Sequence, residues 1–198
     1  MRVILIRHGE TKQNVSKIIQ GHQQGDLTLN GRDQARKLGA RLKDEDIDVI
    51  FCSDLRRTKD TMHEIKKYHD VPLVFDKRLR ERNFGSYEGR PMPKEWDWNN
   101  LASDVERGAT MIKRAKEFLD DAYAHYSKKN ILVVTHGGMK RAFLSMIEGH
   151  EDIESDDHGN IKNTSVTIFE MEEGKQHNIL LKNCVKHLDE DDVCETER

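Results

Sequence analysis

Along the chain, short apolar runs alternate with segments whose apolar residues recur every three or four positions. Val3-Ile4-Leu5-Ile6 is the first run and reads as a buried strand. Ala35, Leu38 and Leu42 follow at helical spacing, with Thr28 placed to cap their helix. Ile47-Asp48-Val49-Ile50-Phe51-Cys52 predicts a second strand, and Ser53 opens a helix that turns Leu55, Met62 and Ile65 inward. Pro72-Leu73-Val74-Phe75 predicts a short third strand. Periodicity then fails over residues 79–101, a stretch punctuated by Gly85 and Gly89. Ser103 and Glu106 fit a capping box for a helix with Ile112, Ala115, Leu119, Ala122 and Tyr126 on one face. Ile131-Leu132-Val133-Val134-Thr135 is the clearest strand, and Ala142, Phe143, Met146 and Ile147 mark the helix after it. Residues 165–171 and 178–185 predict two closing strands joined by a turn at Glu173-Gly174.

Strands that alternate with helices at this spacing build βαβ units. The expected fold is therefore α/β: a three-layer α/β/α sandwich with a mostly parallel sheet. The closing pair reads as a hairpin that supplies one antiparallel edge strand. Residues 1–188 are expected to form one domain, and the acidic residues 189–198 a disordered tail.

Composition narrows the function classes. The chain has 198 residues, 33 basic against 36 acidic, for a net charge of -3. That near balance argues against nucleic acid and membrane surfaces as partners, and leaves only a local basic cluster to bind an anion. No run approaches a membrane span, and residues 1–7 lack the n-region of a signal peptide, so a cytoplasmic location is expected. The sequons Asn14-Val15-Ser16 and Asn163-Thr164-Ser165 are then silent. Cys52, Cys184 and Cys194 form no CxxC pair, and an odd count at scattered spacing favours reduced thiols.

Candidate chemistry comes from how the strands end. The first ends in Arg7-His8-Gly9, and the clearest one in His136-Gly137-Gly138. In a parallel sheet both carboxyl ends lie on one edge, where open α/β sheets bind their ligands. Arg56-Arg57 opens a helix on that same edge. One such histidine alone is more often a capped turn, and one such arginine a solvated face. Together, two histidines, at least two arginines and Asn14 make a cationic pocket suited to a dianionic phosphoryl group. A neutral histidine can attack phosphorus and form a covalent phosphoenzyme. A general acid must then protonate the leaving alkoxide. Glu81 in the aperiodic loop is the natural candidate, with Glu88 a rival that suits a structural role better.

At these residues the sequence resembles the histidine phosphatase superfamily, the phosphoglycerate-mutase-like fold. Leu5-Ile6-Arg7-His8-Gly9-Glu10-Thr11 through Asn14 matches its signature. Gln20-Gly21, Asp26-Leu27-Thr28 with Gly31 to Ala35, Glu81 through Gly85 to Glu88-Gly89, and His136-Gly137-Gly138 match further motifs. Ser53-Asp54-Leu55-Arg56-Arg57-Thr58 with Thr61 aligns with the family's Ser-Pro-Leu-x-Arg-Ala-x-x-Thr, which makes Arg57 the pocket arginine and Arg56 the variable position. The resemblance implies a phosphoenzyme mechanism with no metal or other cofactor. His8 would be the nucleophile and Glu81 the proton donor, then the base. Arg7, Asn14, Arg57, His136 and the Gly137 backbone would hold the phosphoryl oxygens. Gln20 and Gly21 would border the leaving group.

Two departures qualify the match. Asp54 stands where the family has proline. The lid segment, about residues 90–104, is short, and Val105-Glu106-Arg107-Gly108 does not reproduce the family's Gly-Gly-Glu-Ser lid. A reduced lid admits water, which favours a phosphatase of the broad-specificity or alpha-ribazole type over a mutase. The expected partner is a small phosphorylated metabolite, with the chain a monomer or homodimer. A phosphoglycerate mutase and a non-catalytic phosphate-binding module are the alternatives. Metal motifs fail: His63-Glu64 with His69 misses the His-Glu-x-x-His pattern, and the stretch from Asp152 lacks the glycine and glutamate of a calcium loop. Trp96 and Trp98 are expected to pack in the lid, and substrate specificity is expected to lie between Arg90 and Asp104.

Overall fold

A computed structural model describes residues 1–93, 97, 100–153, 159–172 and 177–188. Trp96, Trp98, the turn at Glu173-Gly174, the tail 189–198 with Cys194, and part of the expected lid lie outside the described residues.

The strands are β1 (Arg2–Arg7), β2 (Val49–Cys52), β3 (Leu73–Phe75), β4 (Asn130–Thr135), β5 (Val166–Met171) and β6 (His177–Cys184). They form one sheet in the order β3-β2-β4-β1-β5-β6. The first four run parallel. The antiparallel edge is the closing hairpin, in which β5 runs against β1 and β6 against β5. The helices are α1 (Lys12–Val15), α2 (Leu29–Leu42), α3 (Arg56–Lys66), α4 (Gly108–Tyr126) and α5 (Gly137–Glu148).

Strand periodicity sorts the core into two layers. Val3 and Leu5 of β1 join Val49, Phe51, Ile131 and Val133 in contact with α4 and α5 residues such as Phe118 and Phe143. Ile4 and Ile6 face the other way, with Ile50, Leu132 and Val134, against Leu38 and Leu42 of α2 and Met62 and Ile65 of α3. Each central strand is therefore buried on both faces, which is why its sequence reads as an unbroken apolar run.

The helix starts follow the expected signals unevenly. Thr28 caps α2, its Oγ1 accepting from the Gly31 N–H at 2.8 Å. The Ser103–Glu106 capping box does not form. The helix begins later, after Arg107, because Glu106 is taken by Arg114 at 2.7 Å and by the Asn83 N–H at 3.1 Å. Likewise α3 starts at Arg56, with Leu55 as its cap residue and not Ser53. Cys52 is a free buried thiol, pushed up to about 12 by burial. Cys184 is disulfide-bonded, which corrects the expectation of reduced thiols. Spacing along a chain does not say which cysteines the fold brings together.

Two parallel pairings set up the site. Arg7 lies opposite Thr135, and Cys52 opposite Val134. The residues that follow β1, β4 and β2, namely His8, His136 and Ser53, therefore emerge side by side on one edge.

Candidate active site

A cavity of about 590 Å³ opens at this edge, lined by Arg7, His8, Asn14, Gln20, Gly21, Arg57, Glu81 and Gly137 among others. His8 lies at its floor, 3% exposed. Its Nδ1 stands 2.7 Å from the Gly9 carbonyl oxygen. A carbonyl only accepts, so Nδ1 carries the proton and Nε2 keeps its lone pair. Burial, then Arg57 and Arg7, holds the His8 imidazole well below its ordinary pKa. The ring is neutral at pH 7, as a nucleophile must be. Gly9 crosses Gly31 of α2 so closely that a Cβ would stand 2.5 Å from the Gly31 carbonyl oxygen.

Two arginines flank the histidine. Arg7 donates from Nη1 to the Ile161 carbonyl, while its Nε is buried with no hydrogen-bond partner. A buried guanidinium donor with nothing to bond fits an incoming anion. Arg57, 1% exposed, is wired in three directions: Nε to His136 Nδ1 at 3.1 Å, Nη1 to the Gln23 carbonyl at 2.9 Å and Nη2 to the Gly21 carbonyl at 2.8 Å. Burial lowers its pKa to about 10, so it stays charged at pH 7. Of its five N–H bonds, two remain for a ligand. Arg56 points elsewhere and pairs with Asp26 at 3.0 Å.

His136 is fully buried, its ring centroid 5.2 Å from that of His8. Arg57 Nε–H can only donate, so His136 Nδ1 must be the acceptor. The proton then sits on Nε2, which donates to Ser53 Oγ at 2.8 Å. Burial, then Arg57, holds His136 neutral. Both ring nitrogens are thus spent inside the protein, and a phosphoryl oxygen would have to replace one of these bonds to be held by this ring.

Glu81 is fixed at both ends. Its Oε1 accepts from the Arg82 N–H at 2.9 Å and its Oε2 from the Gly138 N–H at 3.1 Å. Its carbonyl accepts from His22 Nε2 at 2.8 Å and from Arg114 at 3.1 Å. The carboxylate thus sits at the positive N-terminus of α5. Gly137, the first residue of that helix, packs against Arg7: a Cβ there would stand 3.4 Å from the guanidinium carbon. A helix that starts with Gly137 offers unpaired N–H groups to an anion.

The remaining expected residues occupy the walls. Asn14 Oδ1 accepts from the Thr11 N–H at 3.1 Å and from Asn163 Nδ2 at 3.3 Å, so its NH2 group is what it can offer the cavity. Gln20 Nε2 donates to Thr11 Oγ1, and its Oε1 is buried without a partner. Gly21 adopts φ +51° over Glu88, where any Cβ would strike the carboxylate. Glu88 Oε1 accepts the N–H groups of His22 at 2.8 Å and Phe84 at 3.1 Å, which makes it a brace for the loop. Glu10 likewise accepts from Thr28 Oγ1 at 2.6 Å, away from the cavity.

Sequence reasoning missed the rim. Arg82, Phe84, Ile18, Arg141 and Ile153 also line the cavity, as does Met92 from the segment expected to set specificity. Arg141 could have been found, since it lies four residues after Gly137 on one helix face. Ile18 and Ile153 carry no such signal.

Residues 3–184 match the histidine phosphatase superfamily (branch 1). The chain is 33% identical over 149 residues to the uncharacterized phosphatase PhoE of Bacillus subtilis, which covers 74% of this chain and 77% of that one. It is 30% identical to the broad-specificity phosphatase YOR283W of Saccharomyces cerevisiae, over 95% of this chain and 87% of that one. Among solved structures it resembles a phosphoserine phosphatase of Entamoeba histolytica in complex with 3-phosphoglyceric acid. That likeness has a TM-score of 0.83 at 26% identity, over 94% of this chain and 98% of the other.

Proposed function

We propose that this chain, which belongs to the histidine phosphatase superfamily (branch 1), hydrolyses small phosphomonoesters through a phosphohistidine formed on His8. The observation that carries this reading is the His8 ring, neutral and anchored through Nδ1, with Nε2 free beside the half-buried Arg7 and the buried Arg57. In the first step the Nε2 lone pair attacks phosphorus and the ester P–O bond breaks. The departing alkoxide takes a proton from the Glu81 carboxyl. In the second step water attacks phosphorus, Glu81 takes its proton, the P–N bond breaks and inorganic phosphate leaves. Arg7, Arg57, Asn14 and the Gly137 N–H hold the phosphoryl oxygens, and they neutralise charge that spreads onto those oxygens in each transition state. His136 supports this set through its bond to Arg57.

A cavity of about 590 Å³ suits a metabolite-sized ester. Ile18, Met92 and the buried Ile153 give it an apolar lining, while Arg82 and Arg141 add cations for a polar leaving group. The relatives named phosphatases, one of broad specificity and one for phosphoserine, support hydrolysis. We place the catalytic unit within residues 1–188.

Rapid acid and alkaline quenching with labelled substrate tests the mechanism. The expected result is a phosphoryl label stable to alkali and lost in acid, absent from His8→Ala, which folds but does not turn over. Full activity in that variant would sink the mechanism. With 3-phosphoglycerate, phosphate is released and 2-phosphoglycerate does not accumulate; efficient interconversion would make the protein a mutase.

A further inference from the structure

The sequon Asn163-Thr164-Ser165 has the spelling of a glycan acceptor, yet it is folded against the end of β1. Thr164 and Ser165 are fully buried. The Arg7 N–H donates to the Ser165 carbonyl at 3.3 Å, and the Thr164 N–H to the His8 carbonyl at 3.3 Å. Asn163 Nδ2 reaches the same His8 carbonyl at 3.0 Å and Asn14 Oδ1 at 3.3 Å. Thr164 holds φ +55°, a left-handed conformation rare for a β-branched residue. Such an outlier persists only where its surroundings over-determine it, and here the bonds to β1 do so.

We propose that Asn163 is a positioning residue whose side-chain amide turns the NH2 group of Asn14 toward the substrate phosphoryl group. The His8 carbonyl can only accept, so Asn163 must present Nδ2 to it. That same nitrogen meets Asn14, so Asn14 must present Oδ1 in return. The Thr11 N–H at 3.1 Å demands the same orientation. A flipped Asn14 would set its own NH2 against two donors. Its oxygen thus stays turned inward, and its two N–H bonds stay available to an anion in the cavity it lines. Asn163 also ties this amide to the backbone of the nucleophile, so ligand and attacking group keep one spacing.

The inference rests on the reading of the cavity as a phosphoryl site, and the test separates the two. Binding of orthovanadate and of inorganic phosphate is measured by calorimetry for wild type, N163A, N14A and the double variant, with kcat and KM for p-nitrophenyl phosphate. Wild type binds both anions. N163A weakens their binding about tenfold, the worth of one charge-assisted hydrogen bond, and raises KM more than it lowers kcat. In the N14A background the same substitution changes anion binding less than twofold, because its route of action is already gone. N163S retains a donor and recovers part of the loss; it replaces N163A if that variant does not fold. N163D, which cannot donate to either oxygen, loses more than N163A. Equal losses from N163A in both backgrounds overturn the inference and leave Asn163 a structural residue. Failure of wild type to bind either anion overturns the phosphatase reading and this inference with it.

Discussion

Replacing Gly138 by alanine tests the placement of Glu81 without threatening the fold. A Cβ at position 138 would stand 2.3 Å from Glu81 Oε1 and 3.2 Å from its carboxyl carbon. Ordinary contact at about 3.4 Å requires the carboxylate to retreat by about 1 Å. The obstacle is the end of a flexible side chain, so the backbone need not move. Alanine in a helix gains about 0.5–1 kcal/mol over glycine. Loss of the Gly138 N–H bond to Glu81 Oε2 costs about 1.5–3 kcal/mol. The helix gain offsets part of that loss, and at about 2–4 °C per kcal/mol for a chain this size the melting temperature falls by no more than about 10 °C. Activity pays more, because a proton donor displaced by 1 Å loses about a hundredfold. The loss is confined to esters that need the proton. G138A is expected to hydrolyse an alkyl phosphate about 100-fold more slowly, and p-nitrophenyl phosphate, whose leaving group departs unprotonated, less than tenfold. Equal losses on both substrates, or an alkyl rate near wild type, would refute the assignment of Glu81 and its support by α5.

Two further outcomes follow from charge. Lys140 is fully buried, its Nζ donating to Ser165 O and Oγ at 3.0 Å, and burial, then Arg7 and Arg41, holds its pKa well below the ordinary value. The folded chain therefore holds this proton less tightly than the unfolded one, so Lys140 contributes stability that grows as pH rises toward the ordinary lysine value, with a limiting slope of about 1.4 kcal/mol per pH unit. Above about pH 8.5, the ordinary thiol value, the raised Cys52 pKa opposes this with a slope of equal size, so the two contributions offset each other. Urea midpoints between pH 7 and 9 should rise with pH more steeply in wild type than in K140M; equal slopes would assign the effect elsewhere. EDTA is expected to leave turnover unaltered, since arginines supply the positive charge and, among the described residues, no group of three His, Cys, Asp or Glu could hold a metal ion. Loss of activity restored by a divalent cation would contradict this.

The layers and the site's outline were legible in the sequence because both arise from local rules. A strand buried on two faces must be apolar throughout, so β1 and β4 announced themselves, and parallel pairing carried His8 and His136 to one edge. Glu81 was legible as the acid in the aperiodic loop, whereas choosing Arg57 over Arg56 needed the family pattern, since one helix-start arginine looks like its neighbour. What stayed hidden depends on contacts distant in sequence. Asn163 lies about 150 residues from the backbone it grips. The false capping box at Ser103 shows the same limit: Glu106 had a stronger partner in Arg114, which no window of four residues contains. His136 was found as a residue but not as a donor to Ser53, because its tautomer follows from Arg57 alone.

Arg57 grips the carbonyls of Gly21 and Gln23, whereas Ile18 and the exposed Met92 line the cavity with plain apolar side chains. The charged side chain is cross-braced, and these two side chains are not. Evolution, or an engineer, is therefore free to exchange them to suit another substrate while the reaction centre is inherited intact. The reverse is closed: a change at Arg57 would disturb cation, histidine and loop in one stroke. A scaffold divided in this way suits a family in which one reaction is kept and its substrates diverge.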